Sequence, residues 1–393
     1  MGIAKRGLLD NERVLDIAIR VVAAMIILTL AIYLGVRYYH DNVELQRELP
    51  AYKAMKDLED AVRKNPLDLA ARTKLASAYI SLRMWDKAIE QCNEVLKVDK
   101  ENQACLTMAG FAYMQKGDYT SALKYYEKEI DAYSYAGYAL ENKWLEDAYF
   151  NAGVIYWKKK NLDKAISYVN SAALIRRTDA DVWFFLGRLY YEKKLYNNAE
   201  QAFQKALRFV PNYPDALLGL GKVYEKTDMW GLAVNFYERA YRADPKLKEA
   251  KERSDALMEK LVQKSNKIDI NNAKPEDADT LIQLGYAYMG RREFAKAYEA
   301  FDRAILINPK SAVAYYAYGY AYERQWAAEK EKLDQTTTTP TLEALKKKAE
   351  EKYKKCLALD PEYEGAMAGL KRLSLGITEE EVIQRDVIVR QKK

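Results

Sequence analysis

Residues 181–213 read DVWFFLGRLYYEKKLYNNAEQAFQKALRFVPNY, and residues 215–247 read DALLGLGKVYEKTDMWGLAVNFYERAYRADPKL. The two align without a gap. Gly187 and Gly221 are 34 residues apart, as are Tyr190 and Tyr224, Ala199 and Ala233, and Pro211 and Pro245. A fixed period of this size marks stacked units that share one continuous core. The phase extends outwards through Ala76, Gly110, Gly153, Gly187, Gly221, Gly285 and Gly319, at separations of 34, 43, 34, 34, 64 and 34. The two misfits are insertions of 9 and 30 residues between units.

The pattern resembles the tetratricopeptide repeat, a 34-residue helix-turn-helix unit. Trp183, Leu186, Gly187, Tyr190, Ala199, Phe203 and Pro211 stand at its signature positions, with Ala206 at a further small-residue position. Leu217, Leu220, Gly221, Tyr224, Ala233, Tyr237, Ala240 and Pro245 follow in the next unit, and Leu281, Leu284, Gly285, Tyr288, Ala297, Phe301, Ala304 and Pro309 in another. Weaker units hold the same phase at Ala76, Gly110 and Gly153. In the last unit Tyr315, Tyr318, Gly319 and Tyr322 are separated from Ala349, Tyr353, Cys356 and Pro361 by an insertion of 18 residues containing QTTTTPT, a loop by composition. The resemblance implies an all-α superhelix, an α-solenoid of about seven repeats, with a concave groove. Small residues let paired helices approach, large rings fill the space between them, and Pro ends the second helix.

The expected order is an N-terminal tail over 1–16, a transmembrane helix over 17–36, and a juxtamembrane segment over 37–68 that holds a half-repeat helix. A five-unit array follows over 69–247, then an inserted helical segment over 248–277, two further units over 278–363, and a capping helix and tail over 364–393. The insertion reads either as an extra helix on the array or as a hinge between sub-arrays, and the spacer reading is preferred. Thr378 and Glu381 have capping-box spacing.

The membrane expectation rests on Ile17–Val36, 20 residues that span about 30 Å as a helix. A cleaved export signal has a shorter apolar run and a small-x-small site, which YLGVRYYH does not offer. Lys5, Arg6, Arg13 and Arg20 precede the run, and only Arg37 and Arg47 follow closely. The positive-inside rule then puts the repeats outside the cytoplasm, in the periplasm of a bacterium. A cytosol-facing orientation is the alternative.

Several function classes drop out. His40 is the single histidine, which leaves no His-based triad, dyad or zinc site in the repeats. Cys92, Cys105 and Cys356 show no CxxC spacing. GLGKV at 219–223 lacks the flanking Gly and Ser/Thr of a phosphate loop. A net charge of +6 from 63 basic and 57 acidic residues is too balanced for a nucleic-acid binder. No cofactor, metal or catalytic site is expected.

Partners are therefore expected to be proteins. The resemblance places first-helix positions on the concave face: Phe111, Phe150, Trp157, Phe184, Tyr191, Tyr286, Tyr316 and Tyr320, with Arg188, Lys222 and Lys226 among them. Aromatic and basic groups together suit an amphipathic or acidic peptide segment. Some relatives clamp a chaperone's C-terminal carboxylate with a Lys and an Asn in one unit. The first unit here has Thr73 and Ser77 at those places, so that activity is not carried over. The expectation is a membrane-anchored scaffold for a motility, secretion or assembly machine of the bacterial envelope, with self-association compatible with it. A cytosol-facing receptor for import or chaperone docking is the alternative.

Overall fold

In the computed structural model, residues 27–35, 37, 50–135, 141–333, 339–379 and 381–382 are described, and no strand occurs among them. The chain divides into two compact units, 1–132 and 133–393.

The first unit contains α1 (Pro50–Lys64), α2 (Leu69–Ser81), α3 (Trp85–Val98), α4 (Gln103–Gln115) and most of α5 (Tyr119–Tyr133). The half-repeat helix α1 buries Met55 against Leu75, Tyr79 and Ala88. The second unit runs α6 (Lys143–Lys158), α7 (Leu162–Ile175), α8 (Ala180–Glu192), α9 (Tyr196–Phe209), α10 (Pro214–Lys226) and α11 (Trp230–Ala243). It continues through α12 (Lys248–Ser265), α13 (Asp277–Gly290), α14 (Phe294–Ile307), α15 (Ala312–Lys330), α16 (Pro340–Leu359) and α17 (Glu364–Leu375).

Local chemistry sets the boundaries. Asp68, Asn102, Asn142 and Asp179 each accept a backbone N–H in the first turn of the following helix. These caps satisfy donors that the helix itself leaves open. Six of the pairs are joined by a tight turn with one left-handed residue: Arg83, Gly117, Lys160, Lys194, Asp228 and Arg292, at φ between 57° and 82°. Those residues repeat at the separations of the glycine phase, yet only one of them is glycine.

The glycines of the first helices are matched to side chains 16 residues further on. A Cβ at Gly187 would stand 2.6 Å from the Phe203 ring, at Gly221 2.4 Å from Tyr237, and at Gly285 2.4 Å from Phe301. Rings 0–1% exposed fill these contacts. Where Ala76 replaces the glycine, the partner shrinks to Cys92, and both are fully buried.

The insertion at 248–277 holds one long helix and a short 3-10 turn. Helix α12 packs along α11 and buries Ala250, Ser254, Leu257, Met258 and Leu261. The Glu238 carboxylate of α11 accepts from Ser254 Oγ at 2.6 Å and Lys251 Nζ at 3.0 Å. Helix α13 then packs on the same α11, backbone to backbone. A Cβ at Gly231 would fall 2.0 Å from the Gln283 carbonyl oxygen, and one at Gly290 2.5 Å from the Asn235 Cα.

The insertion in the last unit is largely helix rather than loop. Helix α15 has 19 residues where α8 has 13, and α16 has 20 where α9 has 14. Residues 334–338, which include most of QTTTTPT, lie outside the described residues. The closing helix α17 is held by a buried ion pair. Arg372 donates to both oxygens of Glu323, at 2.6 and 3.0 Å, and Tyr353 donates to the same carboxylate. The Thr378–Glu381 capping box is formed, with the Thr378 N–H donating to Glu381 Oε2 at 2.7 Å and the Glu381 N–H to Thr378 Oγ1 at 3.1 Å.

Among the described residues no helix is long and apolar enough to cross a membrane. Residues 17–26 and 36 of the expected span lie outside the described residues. The stretch 27–35 is helical, with Ile27, Leu28, Leu30, Ile32, Tyr33 and Leu34 all exposed.

Two substitutions test this account. Lys194→Gly removes the left-handed penalty and should raise stability by up to about 1 kcal/mol. Gly221→Ala should lower it by about 1–3 kcal/mol, because the Tyr237 ring has no room to retreat. Urea unfolding midpoints measure both, and an unchanged midpoint for Gly221→Ala would contradict the ring-on-glycine packing.

Candidate partner-binding site

The aromatic and basic residues expected to share one groove fall into three places. Phe111 belongs to the first unit, where it meets Trp85 edge-on at 6.0 Å. Phe150, Trp157, Phe184, Arg188, Tyr191, Lys222 and Lys226 lie on α6, α8 and α10. Tyr286, Tyr316 and Tyr320 lie on α13 and α15.

The α6–α8–α10 group is built around Arg188. Its guanidinium stacks over Trp157 at 5.2 Å, Phe185 at 5.6 Å and Phe184 at 5.9 Å. Phe150 and Trp157 both meet the Phe185 ring edge-on, at 5.4 and 5.7 Å. Trp157 Nε1 donates to Glu192 at 2.8 Å, which fixes the indole plane. Phe184 packs against Tyr213 at 5.1 Å, and Tyr213 donates to Asp181 at 2.7 Å. Beside this cluster is a cavity of about 360 Å³ lined by Phe184, Arg188, Tyr191, Asp215, Leu218 and Lys222, among others. Such a volume suits one or two side chains of a bound segment. Lys226 does not line it and is exposed at the end of α10.

The first turns of α12 close one end of this surface. Lys222 pairs with Glu249 at 2.9 Å, and Arg253 reaches both Glu249 at 2.9 Å and Glu225 at 3.0 Å. Burial pushes the Glu249 carboxyl up, but its bonds to Lys222 and Arg253 outweigh that and hold it below the usual carboxylate range. Sequence reasoning missed Phe185, Glu192, Glu249 and Arg253. Phe185 and Glu192 fall off the family's groove positions, and α12 stands outside the repeat phase. The i,i+4 spacing of Glu249 and Arg253 was the one available signal.

Tyr286, Tyr316 and Tyr320 are engaged by the chain itself. Helix α11 lies against α13, and Asn235 Nδ2 donates to the Tyr286 carbonyl at 3.4 Å. Tyr316 packs against the tilted Tyr363 ring at 4.9 Å and is covered by Gly365 of α17. The Tyr320 hydroxyl donates to Glu379 at 3.1 Å. Burial pushes all three phenols up, that of Tyr316 to about 12. The expected single groove is therefore interrupted, because the direct α11–α13 contact puts the protein's own helix where the groove would continue.

Another charge is unusual on α6. Glu146 is 2% exposed and pairs with Arg176 at 2.5 Å, while Arg176 remains 31% exposed. Burial of the carboxyl outweighs the ion pair and pushes its pKa up to about 7. A raised folded-state value favours folding of the protonated form. That contribution is complete below the ordinary value of 4.5 and is lost as pH rises towards 7. Glu146→Gln should therefore flatten the fall in stability across that window. Urea midpoints at pH 5 and pH 8 measure it, and an unchanged slope would rule out this carboxyl as its source.

Family models described as "Tetratricopeptide repeat" match residues 73–137, 107–179, 216–251 and 278–311, and one described as "TPR repeat" matches 187–228. Among curated proteins, the chain is 32% identical over 75 residues to peptidyl-prolyl cis-trans isomerase FKBP4 of Bos taurus, which is 19% of this chain and 16% of that protein. It is 26% identical over 113 residues to the general transcriptional corepressor trfA of Dictyostelium discoideum, 29% of this chain and 8% of that one. The chain thus spans less than a fifth of the length of either curated relative. Among solved structures, the crystal structure of MamA protein is 21% identical, covers 46% of this chain and 94% of its own, with a TM-score of 0.40. The crystal structure of YrrB, titled a TPR protein with an unusual peptide-binding site, is 20% identical, covers 50% and 97%, with a TM-score of 0.42.

Proposed function

We propose that this chain, which is built of tetratricopeptide repeats, is a non-enzymatic scaffold that grips a partner protein across α6, α8 and α10 and is held at a membrane by residues 17–36. The observation that carries the binding reading is the Arg188 cluster. Three rings surround one guanidinium beside a cavity of about 360 Å³, and the surface ends at a salt-bridged helix. Aromatic and Arg side chains that are rigidly held form the anchors of protein interfaces, because little freedom is lost when they are covered. The occupant is an extended or helical segment carrying apolar and acidic side chains. Its acids meet Arg188, and its apolar groups enter beside Phe184 and Leu218.

The anchor reading draws on the helix at 27–35, whose large apolar side chains are exposed among the described residues. The charge bias before the span favours repeats on the periplasmic side of a bacterial inner membrane. There the scaffold would organise a motility, secretion or assembly complex.

Crosslinking from position 191 in membranes should capture a specific partner. Phe184→Ala combined with Arg188→Ala should weaken its binding at least tenfold without lowering the melting temperature by more than a few degrees. Tyr316→Phe should leave it unchanged. A partner that binds both variants equally, or the absence of any specific partner with the repeats intact, would defeat the proposal. Protease access to the repeats in intact spheroplasts tests the orientation, with protection placing them in the cytoplasm.

A further inference from the structure

The closing helix α17 ends at Gly376, whose backbone is left-handed at φ 64°, and the chain turns back there. The Thr378–Glu381 capping box starts the next turn, and the residues that follow Gly376 meet α15. The Tyr320 hydroxyl donates to Glu379 at 3.1 Å. Lys330 Nζ donates to both oxygens of Glu381, at 3.1 and 3.0 Å, and to the Gly376 carbonyl at 2.8 Å. Ile377 and Thr378 are buried. Ile377 and Val382 share a cavity of about 610 Å³ with Leu207, Leu220 and Phe236.

Tyr320 follows Gly319 as Arg188 follows Gly187 and Lys222 follows Gly221, so the three hold one position of the repeat. On α8 and α10 that position presents a cation to a cavity, whereas on α15 it is met by a carboxylate of the chain itself. The segment after Gly376 thus has the make-up of a bound peptide, with two acids and two aliphatic side chains laid on the first helix of a repeat. Its hold on α15 is largely polar. Lys330 and Glu381 are 20% and 37% exposed, and an ion pair so placed contributes little and is screened by salt. Helix α17 is fastened separately, by Arg372 on Glu323.

We propose that the face of α15 bearing Tyr320 and Lys330 is a second protein-binding surface, and that the residues after Gly376 are a built-in competitor for it. The occupant it fits is a partner segment with the chemistry that the competitor displays: one carboxylate for Tyr320, another for Lys330, and flanking aliphatic side chains that enter the cavity. A tethered competitor acts at an effective concentration on the order of millimolar, so a partner gains the surface only by displacing it. The apparent affinity of that partner falls in proportion to the fraction of molecules in which the surface is open. The surface is separate from the Arg188 cluster, and its failure would leave the reading of that cluster untouched.

The test uses the full chain and a fluorescein-labelled peptide of residues 375–384, with binding read by anisotropy. Glu379→Ala combined with Glu381→Ala loosens the competitor, and this variant should bind the peptide at least tenfold tighter than the wild type does. Adding Tyr320→Phe and Lys330→Ala should remove that gain. The loosened variant should melt within a few degrees of the wild type, because the Arg372–Glu323 pair is untouched. A much lower melting temperature would make the segment part of the core and overturn its role as a competitor. Equal or absent binding to the wild type and the loosened variant, or binding that survives Tyr320→Phe with Lys330→Ala, would overturn the surface. A wild-type dimer that the loosening substitutions abolish would assign the segment to exchange between two copies of the chain and overturn the partner.

Discussion

Five of the repeats depend on a ring laid against a glycine of the paired helix, where no Cβ stands in the way. Phe203 touches Gly187 of its own unit and Gly219 of the next, with Cβ positions 2.6 Å from the ring in both cases. Tyr353 is held the same way between Gly319 and Gly369 of the closing helix, at 2.8 and 2.4 Å. A single side chain thus fixes both the pairing inside a unit and the step to its neighbour. Close packing makes the fit discrete, since a methyl group at either glycine would have to displace the ring. The smaller pairs obey the same rule: Gly153 lies on Val169, and Ala76 is matched with Cys92.

That rule explains what could be read from the sequence. Small and large residues 16 apart carry the repeat phase directly, so the helical pairs were legible at Gly187 and Phe203, and even at Ala76 and Cys92. The left-handed turn was not. Lys160, Lys194, Asp228 and Arg292 adopt it without being glycine, because the helix pair on either side imposes the geometry. The insertions hid for a different reason. Their length fixes how many residues are added, while the α11–α13 contact at Gly231 and Gly290 decides where they go. Gly219 in GLGKV belongs here too, since its contact with Phe203 accounts for a glycine that lies outside the repeat signature.

The candidate site divides along the same line. Residue phase says which face of a helix a side chain occupies, and Phe184, Arg188 and Tyr191 line one cavity. Phase does not say what covers that face. Tyr286, Tyr316 and Tyr320 hold equivalent positions, yet α11, α17 and Glu379 meet them. The same contact that removes them from an external partner brings Arg239 and Arg242 to Arg292 and Arg324.

Helix α11 therefore has two successors where an ordinary repeat helix has one. Helix α12 takes the side that ends the partner surface, through Glu249 and Arg253, and α13 takes the other. One carboxylate, Glu238, ties the three together: Lys251 and Ser254 of α12 reach it, and Arg291, just past α13, lies 3.3 Å away. Buried ion pairs add little net stability when complete, but losing one partner is costly. The value of this junction is consequently geometric. It fixes α12 at the end of the groove and the last two units at the back of α11 in a single arrangement, so that neither surface can be displaced without breaking the contacts that define the other.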